Sequence, residues 1–204
     1  FSYLDGKRAR VAGAPSLVLR IGFVGELGYE IHYPTAFGEQ LWDSIMGAGR
    51  DDGIRAFGLE PQRVLRLQKM HILVGQDTDS ESGPVAAAMP WIVKLDKEQD
   101  FIGRWALEEF AEREPALRLV GFELADGAVP HEGAAVLADG AGPPGRVTSA
   151  RFSPAAGHAI GLAWIPREQA EDGAKIAIAD RGERMDATVT TKPFYDPDGE
   201  RLRS

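Results

Sequence analysis

The chain has 204 residues and a mass of 22.1 kDa, and its 44% hydrophobic and 26% charged residues exclude a disordered chain and suit one large domain or two small ones. The 31 acidic residues outnumber the 23 basic ones for a formal charge of −8, which argues against partners such as nucleic acid or an anionic membrane surface. Cysteine is absent, so disulfides, iron–sulfur clusters, thiolate zinc sites and cysteine nucleophiles are excluded, and a cytoplasmic location fits. No apolar run approaches the roughly 18–20 residues of a membrane span. Phe1-Ser2-Tyr3-Leu4-Asp5 carries no signal-peptide pattern and no initiator methionine. We therefore expect a cleaved product, an excised domain or an incomplete chain.

Short strands are expected first, at Arg8–Ala12 and Ser16–Phe23, separated by the turn signal Gly13-Ala14-Pro15. The segment Tyr29–Tyr33 alternates with a period of two, with Tyr29, Ile31 and Tyr33 on one face and Glu30 and His32 on the other. The Gly25–Gly28 segment makes a hairpin of this strand and the one before it. After Pro34 and Thr35, Phe37, Leu41, Trp42, Ile45 and Met46 recur at helical spacing, and Gly47 and Gly49 end the stripe. Ile54–Phe57 reads as a short strand. Glu60-Pro61 opens a second helix with Val64, Leu65, Gln68 and Ile72 along one side. Residues 75–84 read as a loop, Trp91-Ile92-Val93 as a buried strand, and Asp100–Arg113 as a helix with Trp105, Leu107, Phe110 and Ala111 available for packing.

The pattern changes near Glu114-Pro115. Six strands are expected, at Leu117–Leu124, Ala134–Leu137, Arg146–Phe152, Ala159–Ile165, Lys175–Ala179 and Arg184–Thr191, with turn signals at Ala138-Asp139-Gly140 and Asp180-Arg181-Gly182-Glu183. That rhythm belongs to a small barrel or sandwich. The division is into residues 1–114 and 115–204.

Few motifs carry chemistry. His32, His71, His131 and His158 lack the spacing of a helical metal pair, and no metal site is expected. Asp77-Thr-Asp79-Ser-Glu81 opens like a calcium loop, but Ser82 and Ala88 replace the required glycine and glutamate. Phosphate-loop and nucleophile-elbow patterns are absent. What remains is the hairpin with Glu26 and Glu30. Both are either solvated hairpin residues or include a carboxylate aimed at a ligand with adjacent N–H donors, such as an amino-substituted pterin or guanine, beside which Phe23 and Tyr29 can stack.

The run Arg20-Ile-Gly-Phe-Val-Gly-Glu-Leu-Gly-Tyr-Glu-Ile-His-Tyr-Pro34 resembles a signature of the glycine cleavage T-protein (aminomethyltransferase) family. Val64-Leu-Arg-Leu67 with Gly75-Gln-Asp-Thr-Asp79 and Pro84, then Lys94–Lys97 with Asp100–Leu107, then Gly145–Pro154 with Ile160–Pro166, are similar to its later blocks and fall in family order. Gly58–Arg66 and Gly75–Asp79 look closest to the folate-binding parts of the sarcosine oxidase α subunit and dimethylglycine dehydrogenase. The resemblance implies an α+β fold, with a folate-binding segment of hairpins and helices followed by a small antiparallel β-barrel. It also implies tetrahydrofolate as cofactor and transfer of an aminomethyl or methyl group from a small amine or methyl donor.

Residue by residue, Glu30 falls on the pterin-binding glutamate, and Phe23, with Tyr29 close by, on an aromatic position beside it. Gln62 falls where the family has an arginine that helps hold folate. With that arginine replaced, Arg66 or Arg201 is expected to supply the compensating charge for the folate tail. Gln68-Lys69 stands where a Leu-Glu or Glu-Lys step is usual, so one carboxylate is missing. The family's N-terminal half, with the aspartate that assists transfer, has no counterpart here. The catalytic residue is therefore not assigned, and these residues alone are expected to be inactive. A separate N-terminal half or oxidase subunits are the expected partners. The alternatives are a folate-binding or regulatory module without turnover, and a structural domain of an amine oxidase or demethylase assembly.

Overall fold

The computed structural model describes residues 1–113, 115–125, 128–137 and 145–204. The Ala138-Asp139-Gly140 turn signal, and Glu114 at the expected boundary, lie outside them. The chain divides into two compact units: Phe1–Lys69 with Asp196–Ser204, and Met70–Tyr195.

The first unit contains a three-stranded antiparallel sheet of β1 (Gly6–Val11), β2 (Ala14–Leu19) and β3 (Glu30–His32), in that order. Ala12 and Gly13 both take positive φ, the geometry of the two-residue hairpin turn that matches strand twist. Pro15 pairs with Arg10, while β3 covers only Leu17–Leu19 of β2, so the missing proline N–H falls where β2 has an open edge. The second strand ends at Leu19, earlier than the expected Phe23, and residues 20–29 form the loop between β2 and β3.

Helix α1 (Gly38–Ala48) buries Leu41 and leaves Trp42 exposed. Gln40 Nε2 donates to Ala12 O at 2.7 Å, which ties α1 to the β1–β2 turn. The expected strand at Ile54–Phe57 does not form. Ile54 instead donates its N–H to Gly49 O at 2.9 Å and so closes the end of α1. Helix α2 (Leu59–Gln68) stops before Ile72, because Met70 takes a left-handed φ of 56°. Its buried residues are Arg66, Leu67 and Gln68; of the expected stripe only Gln68 is among them, and Val64 and Leu65 are half-buried.

In the second unit, Pro90–Ile92 is a single 3₁₀ turn rather than a buried strand, and Trp91 is 67% exposed. Pro90 has no N–H to offer a ladder, and no strand of the described residues pairs with the segment. Helix α3 (Arg104–Glu112) starts later than Asp100, because Gly103 at its N-cap has φ of 90°. The Arg104 guanidinium then caps Leu95 O at 2.7 Å and Lys97 O at 3.1 Å. Leu107 is half-buried, but Trp105 and Phe110 are exposed.

The remainder is a closed antiparallel barrel of β4 (Leu117–Leu124), β5 (Ala135–Leu137), β6 (Gly145–Ser153), β7 (His158–Pro166), β8 (Lys175–Asp180) and β9 (Glu183–Thr190), in the order β4-β7-β6-β5-β8-β9 with β9 back on β4. Each strand appears within two residues of its expected ends. Closure removes free sheet edges. Arg181 and Gly182, both at positive φ, make the β8–β9 turn. Phe122, Leu124, Val136, Val147, Ile165 and Ile178 fill the interior. Ala150 is buried with them, but Phe152 is 47% exposed, so the strand register turns the largest of these β6 side chains outward.

Strand β6 is irregular between Val147 and Ser149. Neighbouring side chains of a regular strand point to opposite faces, and a bulge relaxes that rule. Here Thr148 Oγ1 and Ser149 Oγ both donate to Asp77 Oδ1, at 2.7 and 2.6 Å. Leu73 N donates to the other carboxylate oxygen at 2.8 Å, and Trp164 Nε1 donates to Asp77 O at 2.7 Å. The fully buried Asp77, the first residue of the rejected calcium loop, thus fastens the 73–79 loop to the barrel wall. Donors take the place of water at its buried oxygens.

Candidate functional site

All six residues singled out as a ligand site, Phe23, Tyr29, Glu30, Gln62, Arg66 and Arg201, belong to the first unit. Glu30 opens β3 opposite Leu19 of β2. Its carboxylate is open to solvent, with Oε2 3.1 Å from His32 Nε2 on the same face of the strand. This pairing obeys the two-residue period. Tyr29, just before the strand, is half exposed. The Arg20 guanidinium lies 5.5 Å from its ring centroid, and the Phe1 ring 5.7 Å away at 55°. A cation over one side of an aromatic ring holds the ring in place.

The loop between β2 and β3 folds back on itself. A β-carbon on Gly28 would come within 2.9 Å of Ile21 O, and one on Gly22 within 2.7 Å of Glu26 O. Only hydrogen fits at those crossings. Phe23 is half-buried in this loop. On α2, Gln62 is half-buried, whereas Arg66, one turn later, is 2% exposed. Arg201 lies on α4 (Glu200–Arg203), with Nη1 3.3 Å from Glu26 Oε1. The fold therefore joins Arg201 to the loop that carries Phe23, while Glu30 and Tyr29 are neighbours along the chain.

Three residues outside the expected set organise this region. Arg20 is buried and donates to Leu202 O at 3.2 Å and to the main-chain oxygen of Ser204. Lys69 and Asp196 form an ion pair of 2.9 Å with side chains 6% and 10% exposed, and Lys69 also donates to Asp196 O. The Lys69 hydrogen bond holds the Asp196 carboxyl below the ordinary carboxylate range. In the sequence, Asp196 is one residue of an acidic, turn-rich tail, and nothing local marks Lys69 as its partner. Among the described residues no group of three or more histidine, aspartate or glutamate side chains is arranged to hold a metal ion, and no helix is long and apolar enough to cross a membrane.

Two family models match the chain: the GCVT N-terminal domain over residues 1–97 and the glycine cleavage T-protein C-terminal barrel domain over residues 118–196. Similar curated proteins include the aminomethyltransferase of Geobacillus thermodenitrificans, 36% identical over 195 residues, covering 96% of this chain and 53% of the relative. The aminomethyltransferase of Symbiobacterium thermophilum is also 36% identical, over 93% of this chain and 50% of the relative. The crystal structure of glycine cleavage system aminomethyltransferase T from Bartonella henselae superposes with a TM-score of 0.85 at 25% identity, over 97% of this chain and 54% of that one. The chain thus spans about half the length of the curated relatives it matches. On its two domain matches, its closed barrel and these relatives, the chain belongs to the glycine cleavage T-protein family.

Proposed function

We propose that this chain supplies the pterin-reading part of a tetrahydrofolate-dependent one-carbon transferase, and that the region its relatives have in addition completes the catalytic site. The observation that carries this reading is the Glu30 carboxylate, open to solvent at the start of β3 and next in the chain to Tyr29, whose ring faces the Arg20 guanidinium. A carboxylate with two acceptor oxygens matches the adjacent N–H donors of a reduced pterin, and an aromatic wall matches its flat body. The donor set thus fits tetrahydrofolate.

Bound tetrahydrofolate supplies the ring nitrogen that accepts a one-carbon unit from a small amine or methyl donor. Glu30 accepts hydrogen bonds from the pterin edge, and Tyr29 and Phe23 bound its plane. Gln62 and Arg201 serve the anionic glutamate tail; Arg66, expected to join them, is 2% exposed and offers it no surface. Positioning is then this chain's main contribution to rate. The reading treats residues 1–114 as the folate segment and 115–204 as the barrel, and the cysteine-free composition suits the cytoplasm.

The partner in this reading is the other half of a T-protein-like polypeptide. Two observations support it: the relatives are about twice as long, and Trp91, Ile92, Ile102, Trp105 and Phe110 expose large apolar side chains within 91–110.

A second reading, a folate-binding module without turnover, is favoured by the buried amide Gln68 where the family resemblance places a carboxylate. Calorimetric titration of tetrahydrofolate into the chain tests binding. Saturable one-to-one binding supports both readings, and its absence at millimolar folate refutes both. Turnover after mixing with the N-terminal half of a relative separates them: one-carbon transfer supports the enzyme, and a bound but inert complex supports the module.

A further inference from the structure

Within the first unit the tail Asp196–Ser204 packs against the β2–β3 loop, and Lys69 holds its start. Lys69 holds Asp196 by side chain and main chain. Asp196 Oδ1 accepts from Glu200 N at 3.0 Å, which starts α4. Arg201 meets Glu26 at 3.3 Å. Buried Leu202 sits where a β-carbon on Gly22 would come within 2.6 Å of its Cδ1, and Arg20 takes the Leu202 and Ser204 carbonyls. On the other side, the Lys69 stem lines Gly25, whose added β-carbon would lie 3.3 Å from Lys69 Cδ. One lysine therefore touches the loop with its methylenes and the tail with its ammonium.

We propose that Lys69 and Asp196 are positioning residues: their ion pair latches the tail over the Gly22–Gly28 loop and so sets the placement of Phe23, Tyr29 and Glu30 for the pterin. Neither residue touches the ligand in this scheme. The inference rests on the folate reading of Glu30 and Tyr29 given above. The physical argument is entropic. A loop of seven residues containing Gly22, Gly25 and Gly28 has much conformational freedom to lose. The latch removes that freedom before ligand arrives, and a preorganised site binds more tightly.

The experiment compares the wild-type chain with Asp196→Asn, Lys69→Met and Lys69→Arg. Asparagine tolerates the positive φ of 46° at position 196, and methionine keeps most of the stem against Gly25. Two quantities are read: amide hydrogen exchange of residues 20–30 without ligand, and tetrahydrofolate affinity by calorimetry. Asp196→Asn and Lys69→Met should exchange at least fivefold faster across the loop, with the barrel strands unchanged, and should bind folate at least fivefold more weakly. Lys69→Arg should restore both.

Unchanged loop exchange in either folded variant overturns the latch. Faster exchange with unchanged affinity overturns the positioning role, as does weaker binding with unchanged exchange. Should Lys69→Met fail to fold, shown by fast exchange in every peptide, Asp196→Asn carries the decision. Failure of wild type to bind folate refutes the underlying folate reading and with it the pterin role, while the exchange measurement still decides whether the pair orders the loop.

Discussion

Phe122 and Gly161 face each other across β4 and β7, and a β-carbon on Gly161 would lie 2.2 Å from Phe122 Cζ. The ring fills the space that the glycine leaves, at the fully buried centre of one barrel wall. The same added carbon would also meet Ser149 O at 2.5 Å, an atom of the backbone that cannot turn aside.

Two losses are expected from this pair. Phe122→Ala should cost about 3–5 kcal/mol, the usual price of truncating a buried ring. Gly161→Ala should cost at least about 2 kcal/mol through overpacking. In the double variant the ring clash is gone and the Ser149 clash remains, so the sum should fall short of additive by about 1 kcal/mol. Urea unfolding of the four proteins measures this. Full additivity would show that Phe122 is not what crowds position 161.

Phe152 gives the opposite expectation. It lies on the same strand as buried Val147 and Ala150 but is half exposed. Phe152→Ala should change stability by less than about 1 kcal/mol, as surface substitutions do. A loss near 3 kcal/mol would mean that the ring is covered in solution.

Glu30→Gln tests the pterin assignment. The change keeps shape and replaces one acceptor oxygen with a donor, so a mismatched buried donor in the complex costs about 1–3 kcal/mol. Folate affinity should fall at least tenfold with the melting temperature unchanged. Equal affinity of the two proteins would remove Glu30 from the site.

Asp180 links stability to pH. Its Oδ2 accepts from His131 Nδ1 at 2.7 Å and from His131 N at 2.9 Å. These bonds, the side-chain one first, hold its carboxyl below the ordinary range. A carboxyl depressed in the folded state stabilises the fold above the unfolded value of about 3.9, and that stabilisation disappears as pH falls through the lower folded value. Wild type should therefore lose stability more steeply than Asp180→Asn between pH 4 and the acid limit, as followed by urea midpoints. Parallel curves would show that the pair contributes nothing in solution.

Gln62→Arg tests the far end of the site. A chain of net charge −8 repels the polyglutamate tail of folate, and a cation at position 62 should raise affinity for polyglutamyl folate at low salt. The gain should shrink as salt rises, since exposed charges are screened over about 10 Å at 0.1 M. No gain at low salt would mean that position 62 faces away from the tail.

The barrel was legible in the sequence because its strands carry their own evidence. Runs such as Leu117–Leu124 and His158–Pro166 alternate or stay apolar, and a turn such as Arg181-Gly182 separates β8 from β9. The family was legible too, through blocks that keep their order along the chain. Local pattern misled where a residue's partner is remote or its backbone is special. Ile54–Phe57 and Trp91–Val93 look like strands, yet one closes a helix and the other follows a proline with nothing to pair against. Left-handed Met70 and Gly103 set helix limits that side-chain periodicity does not reveal. Glu30 and Tyr29 were visible as neighbours on one strand. The Lys69–Asp196 pair, 127 positions apart, and the reach of Thr148 and Ser149 to Asp77 exist only once the chain is folded. Polar side chains such as these read as surface in a sequence. The tertiary structure alone decides which of them are withdrawn from water, because an interior polar group is stable only where a partner replaces the solvent it gives up.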